Sequence, residues 1–259
     1  MKRVSFLAAV PVLLVLIAPS VPFAQDDDPI DLIRTPTAGM LPRASYDTGI
    51  RVYADGGVLS RVRVGLRESV FFGFTFGGTQ VIGAGEPDWN PRVEFLLRGR
   101  LFGESYLGPA LAIGYDSQGY GPYDDGLDRY QNKSRGFYAV ASKHFLFLGE
   151  LGLHAGVNYS LERDDDDDEV NAFFGVEKSI HRALDFLVEY DLATNDNEDN
   201  VGFGEGKGYL SAALLWRMTE TLHFQVDLHN LLENGEQGGL ERDPGEWSRE
   251  IRITYRDYF

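Results

Sequence analysis

From residue 44 onward, apolar and polar positions alternate with a period of two, the repeat of a strand whose two faces meet different surroundings. Twelve such segments follow one another, at 44–54, 58–66, 69–77, 92–102, 106–115, 136–145, 150–161, 169–179, 183–193, 207–218, 221–231 and 247–259. Each has about the 9–11 residues that a tilted strand needs to cross a bilayer. Connections after even-numbered segments are short (67–68, 103–105, 146–149, 180–182, 219–220), and those after odd-numbered ones are mostly long (78–91, 116–135, 162–168, 194–206, 232–246). Asp55-Gly56-Gly57 is the tight exception on the long side. This layout predicts an all-β fold, a single antiparallel transmembrane β-barrel of about twelve strands over 44–259, with short periplasmic turns and long external loops.

One face of most segments is apolar: Val70, Phe72, Phe74 and Phe76; Leu107, Leu111, Ile113 and Tyr115; Leu184, Phe186, Val188 and Tyr190; Leu222, Phe224, Val226 and Leu228. Pattern alone does not say whether that face meets lipid or a soluble barrel's core. Segment 136–145 does not alternate cleanly, and its facing stays open. On the polar faces, arginines gather in the early segments (Arg51, Arg61, Arg63, Arg92, Arg98, Arg100) and the last (Arg252, Arg256), whereas carboxylates dominate the later ones (Glu177, Asp185, Glu189, Asp191, Asp227). Closing the barrel sets a basic wall against an acidic wall. Two readings follow: salt bridges that fill a narrow lumen, or a transverse field across a water-filled pore.

The front of the chain changes the picture in favour of lipid. Lys2 and Arg3 precede an apolar run over 4–17 and small residues through Ala24, the three regions of a secretory signal peptide with a cut after Ser20 or Ala24. Residues 25–43, acidic and then rich in Pro and Thr, read as a periplasmic N-terminal tail. The 24 basic residues are outnumbered by 40 acidic ones, which argues against nucleic acid as a partner. With no cysteine there is no disulfide, thiolate metal site or lipoprotein anchor.

Chemical motifs are scarce, and no cofactor is expected. In the acidic run, Asp164, Asp166 and Asp168 have the spacing of a calcium loop, but Glu169 stands at the turn glycine and Gly175 at the bidentate glutamate. A solvated loop and a diffuse divalent-cation site near lipopolysaccharide phosphates remain as readings. The glycines at 202, 204 and 206 fail the dinucleotide frame, and Tyr115 breaks a nucleophile elbow around Ser117. His223 and His229 share a face about 20 Å apart, too far for one metal. A barrel hydrolase or acyltransferase whose residues come from different strands stays open as a third class.

The last segment places Ile251, Ile253, Tyr255 and Phe259 on one face, interrupted by Asp257. It resembles the C-terminal signal of bacterial outer-membrane barrels, which implies outer-membrane lipid, lipopolysaccharide and the barrel-assembly machinery as partners. Residues 32–42 (LIRTPTAGMLP), 100–114 (RLFGESYLGPALAIG) and 138–143 (YAVASK), in that order, resemble the YjbH-like outer-membrane family. The resemblance spans about residues 32–161. It implies a part in exopolysaccharide production or export, with polysaccharide-export proteins as partners, and it brings no catalytic residues to carry over. Two departures stand out: relatives are often lipoproteins, and longer members continue past one barrel. The sequence therefore predicts a narrow outer-membrane channel or accessory component, with a non-conducting scaffold as the alternative.

Overall fold

The computed structural model describes residues 28–197, 203–235 and 246–259. The leader expected over residues 1–24 lies outside them, as do residues 25–27 of the tail.

Twelve strands close into an antiparallel barrel: β1 (Ser45–Tyr53), β2 (Gly57–Arg67), β3 (Val70–Thr79), β5 (Glu94–Phe102), β6 (Ala110–Asp116), β9 (Gly136–Leu146), β10 (Glu150–Tyr159), β11 (Asn171–His181), β12 (Leu184–Asp191), β13 (Tyr209–Arg217), β14 (Leu222–His229) and β15 (Ser248–Tyr258). A two-residue strand, β4 (Asp88–Trp89), extends β3 beyond the barrel, and β7 (Tyr120–Asp124) with β8 (Arg129–Asn132) forms a hairpin inside the longest connection. Neighbours in sequence pair around the ring, and β15 returns to β1 in a register from Ser45↔Tyr258 to Val52↔Ile251. Closure removes the exposed edge that a terminal strand would otherwise present. Phe259 donates its N–H to the Ala44 carbonyl at 2.9 Å, and its ring lies 5.2 Å from that of Tyr46. Asp257, the interruption on that face, accepts the Tyr255 hydroxyl at 2.6 Å.

The structure resolves which face meets lipid. All twelve barrel strands leave a large apolar residue exposed outward, among them Ile50, Val62, Phe74, Leu97, Ile113, Phe137, Val157, Phe174, Phe186, Leu214, Val226 and Ile253. A continuous apolar belt of this kind is untenable in water and is what a bilayer-spanning barrel presents to acyl chains. The open case, β9, turns Tyr138, Val140, Ser142 and His144 inward and Phe137 and Ala139 outward. An arginine at Ile113, which is 47% exposed, is expected to cost about 2–4 kcal/mol near the bilayer midplane. Folding titrations in vesicles check this, and a cost no larger than that of Asp164→Arg in an exposed loop would contradict the belt.

Inside, the segment anticipated as a periplasmic tail occupies the lumen. Residues 28–42 double back as a hairpin: Asp31 bridges Pro36, Leu32 N–H donates to Thr35 C=O at 3.0 Å, and Thr37 N–H to Ile30 C=O at 3.0 Å. The hairpin enters at the short-turn end, beside the start of β1, with Ile33 and Arg34 at its tip. It also accounts for the inward apolar residues, since each of three buried clusters joins hairpin to wall. Ile30, Met40 and Leu41 pack on Phe71 and Leu96, Leu32 and Ile33 on Leu187, Ala213 and Leu215, and Ala38 on Ala110, Ala112, Tyr138, Val140 and Phe173. The close approach needs a wall position without a side chain, because a methyl group on Gly175 would stand 2.1 Å from Leu32 Cδ1.

Candidate functional site: a plugged lumen

The hairpin is held by charge as well as by packing, and it lies between the two charged walls. Asp31 faces the basic side. Its carboxylate accepts from Arg61 at 3.0 Å, Arg63 at 2.6 Å and Arg98 at 2.9 Å. Arg98, almost fully buried, also donates to the Tyr138 hydroxyl at 2.7 Å and to the carbonyls of Ile30 at 2.6 Å and Gly39 at 3.2 Å.

At the tip the polarity reverses. The amides of Ile33, Arg34 and Thr35 converge on the Glu189 carboxylate at 3.1, 2.9 and 2.9 Å, and the Thr35 hydroxyl adds a fourth donor at 2.7 Å. Arg51 and Arg252 both reach the Ile33 carbonyl, and Gln225 donates to Leu32 C=O at 3.0 Å. A short hairpin tip has bare amides and carbonyls, and this lumen supplies an anion for the first and cations for the second.

The remaining wall residues pair more locally than the two-wall picture implies. Arg63 also binds Asp47 through two contacts at 2.8 and 2.5 Å, and Arg51 binds Glu250 at 2.9 Å. Both partners are carboxylates within the basic sector that the wall assignment left out, although Asp47 lies directly across from Arg63 in the β1–β2 register. Arg100 sits at the rim beside a bulge and donates to the Glu68 carbonyl at 3.3 Å. On the acidic side, Asp191 takes Arg135 at 2.5 Å, Asp185 takes Arg217 and Ser179, and Asp227 takes Gln225 at 2.7 Å with Arg252 at 3.9 Å. Glu177 lies among His154, at 3.8 Å, and Arg217, at 3.6 Å.

The long-loop end is partly covered by the β7–β8 hairpin, which meets the plug at Arg34. The Arg34 guanidinium lies 4.4 Å from the Tyr120 ring centroid and donates to Asn132 at 2.8 Å. Two more anchors hold this lid: Tyr130 donates to Glu94 at 2.9 Å, and buried Arg129 pairs with Asp165 and Asp196. Asp164, Asp166 and Asp168 point to solvent, while the intervening Asp165 and Asp167 are buried, taking Lys133 and the Asn197 amide. An aqueous cavity of about 550 Å³ remains on the loop side, lined in part by Arg34, Tyr53, Tyr209 and His229. A second of about 570 Å³ opens at the short-turn end beside Asp28.

Burial pushes the carboxyl of Glu162 up to about 7, although the amides of Ser134 and Tyr130 donate to it at 3.1 and 3.3 Å. A carboxyl raised in the folded state favours the docked lid when protonated. Its contribution is complete below the ordinary value of 4.5 and is lost as the pH climbs through about 7. Amides of β7 and β8, corrected for intrinsic rates, are expected to be better protected from exchange at about pH 5 than at about pH 8, and Glu162→Gln to reduce the difference, the remainder coming from Asp196, which burial also raises beside Arg129. A difference unchanged in the Gln variant would contradict the assignment.

Two serine–histidine pairs on neighbouring strands bear on the hydrolase reading. Ser211 Oγ lies 2.9 Å from His229 Nδ1, but Arg34, which only donates, lies 2.9 Å from Nε2. His229 therefore carries its hydrogen on Nδ1 and donates to Ser211, so it cannot take the serine's proton there. Ser142 Oγ, 2.8 Å from His154 Nδ1, accepts the Ala38 amide at 2.8 Å and is buried beneath the plug. Neither pair presents an accessible nucleophile.

No protein-family model matches the sequence, and no curated protein matches it. Among solved structures the chain is similar to a KdgM porin (10% identity over 82% of this chain and 98% of that one, TM-score 0.48) and a NanC porin (11%, 83% and 99%, TM-score 0.45). It is also similar to the Salmonella typhi outer membrane phospholipase, a dimer with bound calcium (8%, 85% and 92%, TM-score 0.41).

Proposed function

We propose that the protein is a gated, non-enzymatic conduit of the bacterial outer membrane, closed in this state by its own N-terminal hairpin, and that it serves surface-polysaccharide export. The observation that carries the gating is the character of the plug's contacts. Residues 28–42 are not strands of the barrel sheet, and they are held through ion pairs and side-chain hydrogen bonds that leave the wall's own ladder intact when they break. Removal of the hairpin would open a passage whose basic side presents Arg51, Arg61, Arg63 and Arg98. Such a lining favours acidic or neutral saccharides over cations. The resemblance to the YjbH-like family supports the polysaccharide role, with export proteins as partners.

Liposome swelling tests this with an Asp31→Asn, Glu189→Ala variant, which weakens the plug at both ends. Uptake of acidic oligosaccharides ahead of size-matched cationic ones is the expected result. A folded variant impermeable to both would favour the scaffold reading, in which the lumen is filled for rigidity.

A further inference from the structure

At the short-turn end, beside the base of the plug, β9, β10 and β11 bring His144, His154 and Glu177 together. One ligand-type atom from each lies within 4.8 Å of the others, and all three side chains are buried. His144 Nε2, His154 Nε2 and Glu177 Oε2 have no hydrogen-bond partner. Three convergent buried polar atoms left bare would be costly without a shared ligand.

The far side of each group is already held. His144 Nδ1 donates to Glu104 at 2.7 Å, His154 Nδ1 lies 2.8 Å from Ser142 Oγ, and Arg217 lies 3.6 Å from the other Glu177 oxygen. Outer partners that fix the ring orientation and leave one nitrogen's lone pair free are what metal-binding histidines require. Space is reserved as well. Gly152 pairs directly with both His144 and Glu177, and a methyl group there would stand 3.0 Å from His154 Nε2 and 3.1 Å from His144 Nε2.

We infer that His144, His154 and Glu177, joined by Asp28 of the plug, bind a divalent transition-metal ion of the zinc class, which fastens the base of the plug to the barrel wall. Asp28 Oδ1 lies 3.8 Å from His144 Nε2, and His154 Nε2 lies 3.8 Å from Glu177 Oε2. Ligand atoms around tetrahedral zinc, with bonds of about 2.0–2.1 Å, stand roughly 3.3 Å apart, so each of these two pairs closes by about half an ångström on binding, and Asp28, which lies outside the group of three atoms within 4.8 Å of one another, swings in to join them. Two imidazoles with two carboxylates suit zinc and its neighbours, whereas calcium and magnesium prefer all-oxygen sets. The cavity at this end is lined by Asp28, His144, Gly152 and Glu177, which gives the ion an entry path.

The test titrates zinc chloride against a chromophoric chelator, using the purified full chain in detergent after metal depletion. One zinc per chain is expected, with calcium at the same concentration giving none. His144→Gln with His154→Gln should reduce zinc to background, and Gly152→Ala, which keeps every ligand, should weaken it while heat-modifiable mobility still reports a folded barrel. Absence of stoichiometric zinc in the wild type, or wild-type binding in folded forms of these variants, would overturn the site. The fastening has its own readout in thiol labelling of Ala38→Cys, a lone cysteine in this chain. Zinc should slow labelling, and should do so far less in an Asp28→Asn background. Labelling indifferent to zinc would overturn the fastening even if the ion binds.

Discussion

Asp31→Asn is expected to loosen the plug at its base and to expose the hairpin to solvent reagents while the barrel stays closed. The substitution removes the carboxylate that Arg61, Arg63 and Arg98 share. Arg63 keeps Asp47 and Arg98 keeps Tyr138, both on the barrel wall, so the loss falls mainly on docking. Breaking a buried ion pair by removing one partner typically costs about 3–5 kcal/mol, because the remaining charge is left in a poor solvent. Ala38, which is 2% exposed, serves as the reporter once changed to cysteine. Its labelling by a water-soluble maleimide should rise by orders of magnitude in the Asn background. Unchanged labelling with wild-type heat-modifiable mobility would show that the three arginines do not depend on Asp31.

Glu189→Ala is expected to have an effect of similar size at the other end of the hairpin. It leaves three amides and the Thr35 hydroxyl without their acceptor. Each buried donor so stranded costs about 1–3 kcal/mol unless water reaches it, and the loop-side cavity makes some hydration available. The net loss is therefore several kcal/mol, below the simple sum of the parts. A cysteine at Ile33 should become reactive in this variant. Because Asp31 and Glu189 hold the same fifteen-residue segment, the double variant should fall short of additivity once the hairpin is out. A Glu189→Ala protein whose Ile33 position stays protected would contradict the capping role.

The strands were legible because their signal is local and repeated. Each of the twelve alternating segments overlaps one barrel strand, and four of the five short connections between them are tight turns at one end; the fifth, expected over 103–105, runs over 103–109, because β6 starts only at Ala110. The plug was not legible by the same means. Residues 32–42 have no period, and their partners lie far along the chain, with Glu189 more than 150 positions from Ile33. A subtler trace was present: Phe71, Leu96, Phe173, Leu187 and Leu215 are apolar residues on otherwise polar inward faces. An empty aqueous lumen gives no reason for them, whereas a hairpin carrying Ile30, Leu32, Ile33 and Leu41 does. The wall charges were legible face by face but not pair by pair, since facing follows from parity and pairing from register. Asp47 and Glu250 share the inward parity of Arg51 and Arg252 and were within reach of that reading, whereas their pairing with Arg63 and Arg51, and the bulge that leaves Arg100 at the rim, follow from register alone. In the acidic loop, parity carries no information outside a strand, and Asp165 and Asp167 do the anchoring.

The most direct measurement is planar-bilayer conductance of the wild-type chain beside the Asp31→Asn, Glu189→Ala variant, both shown to be folded by heat-modifiable mobility. A plugged barrel gives little or no steady current in the wild type. The variant should conduct in discrete, anion-preferring steps. Wild-type channels with the same unit conductance and selectivity as the variant would contradict closure by residues 28–42.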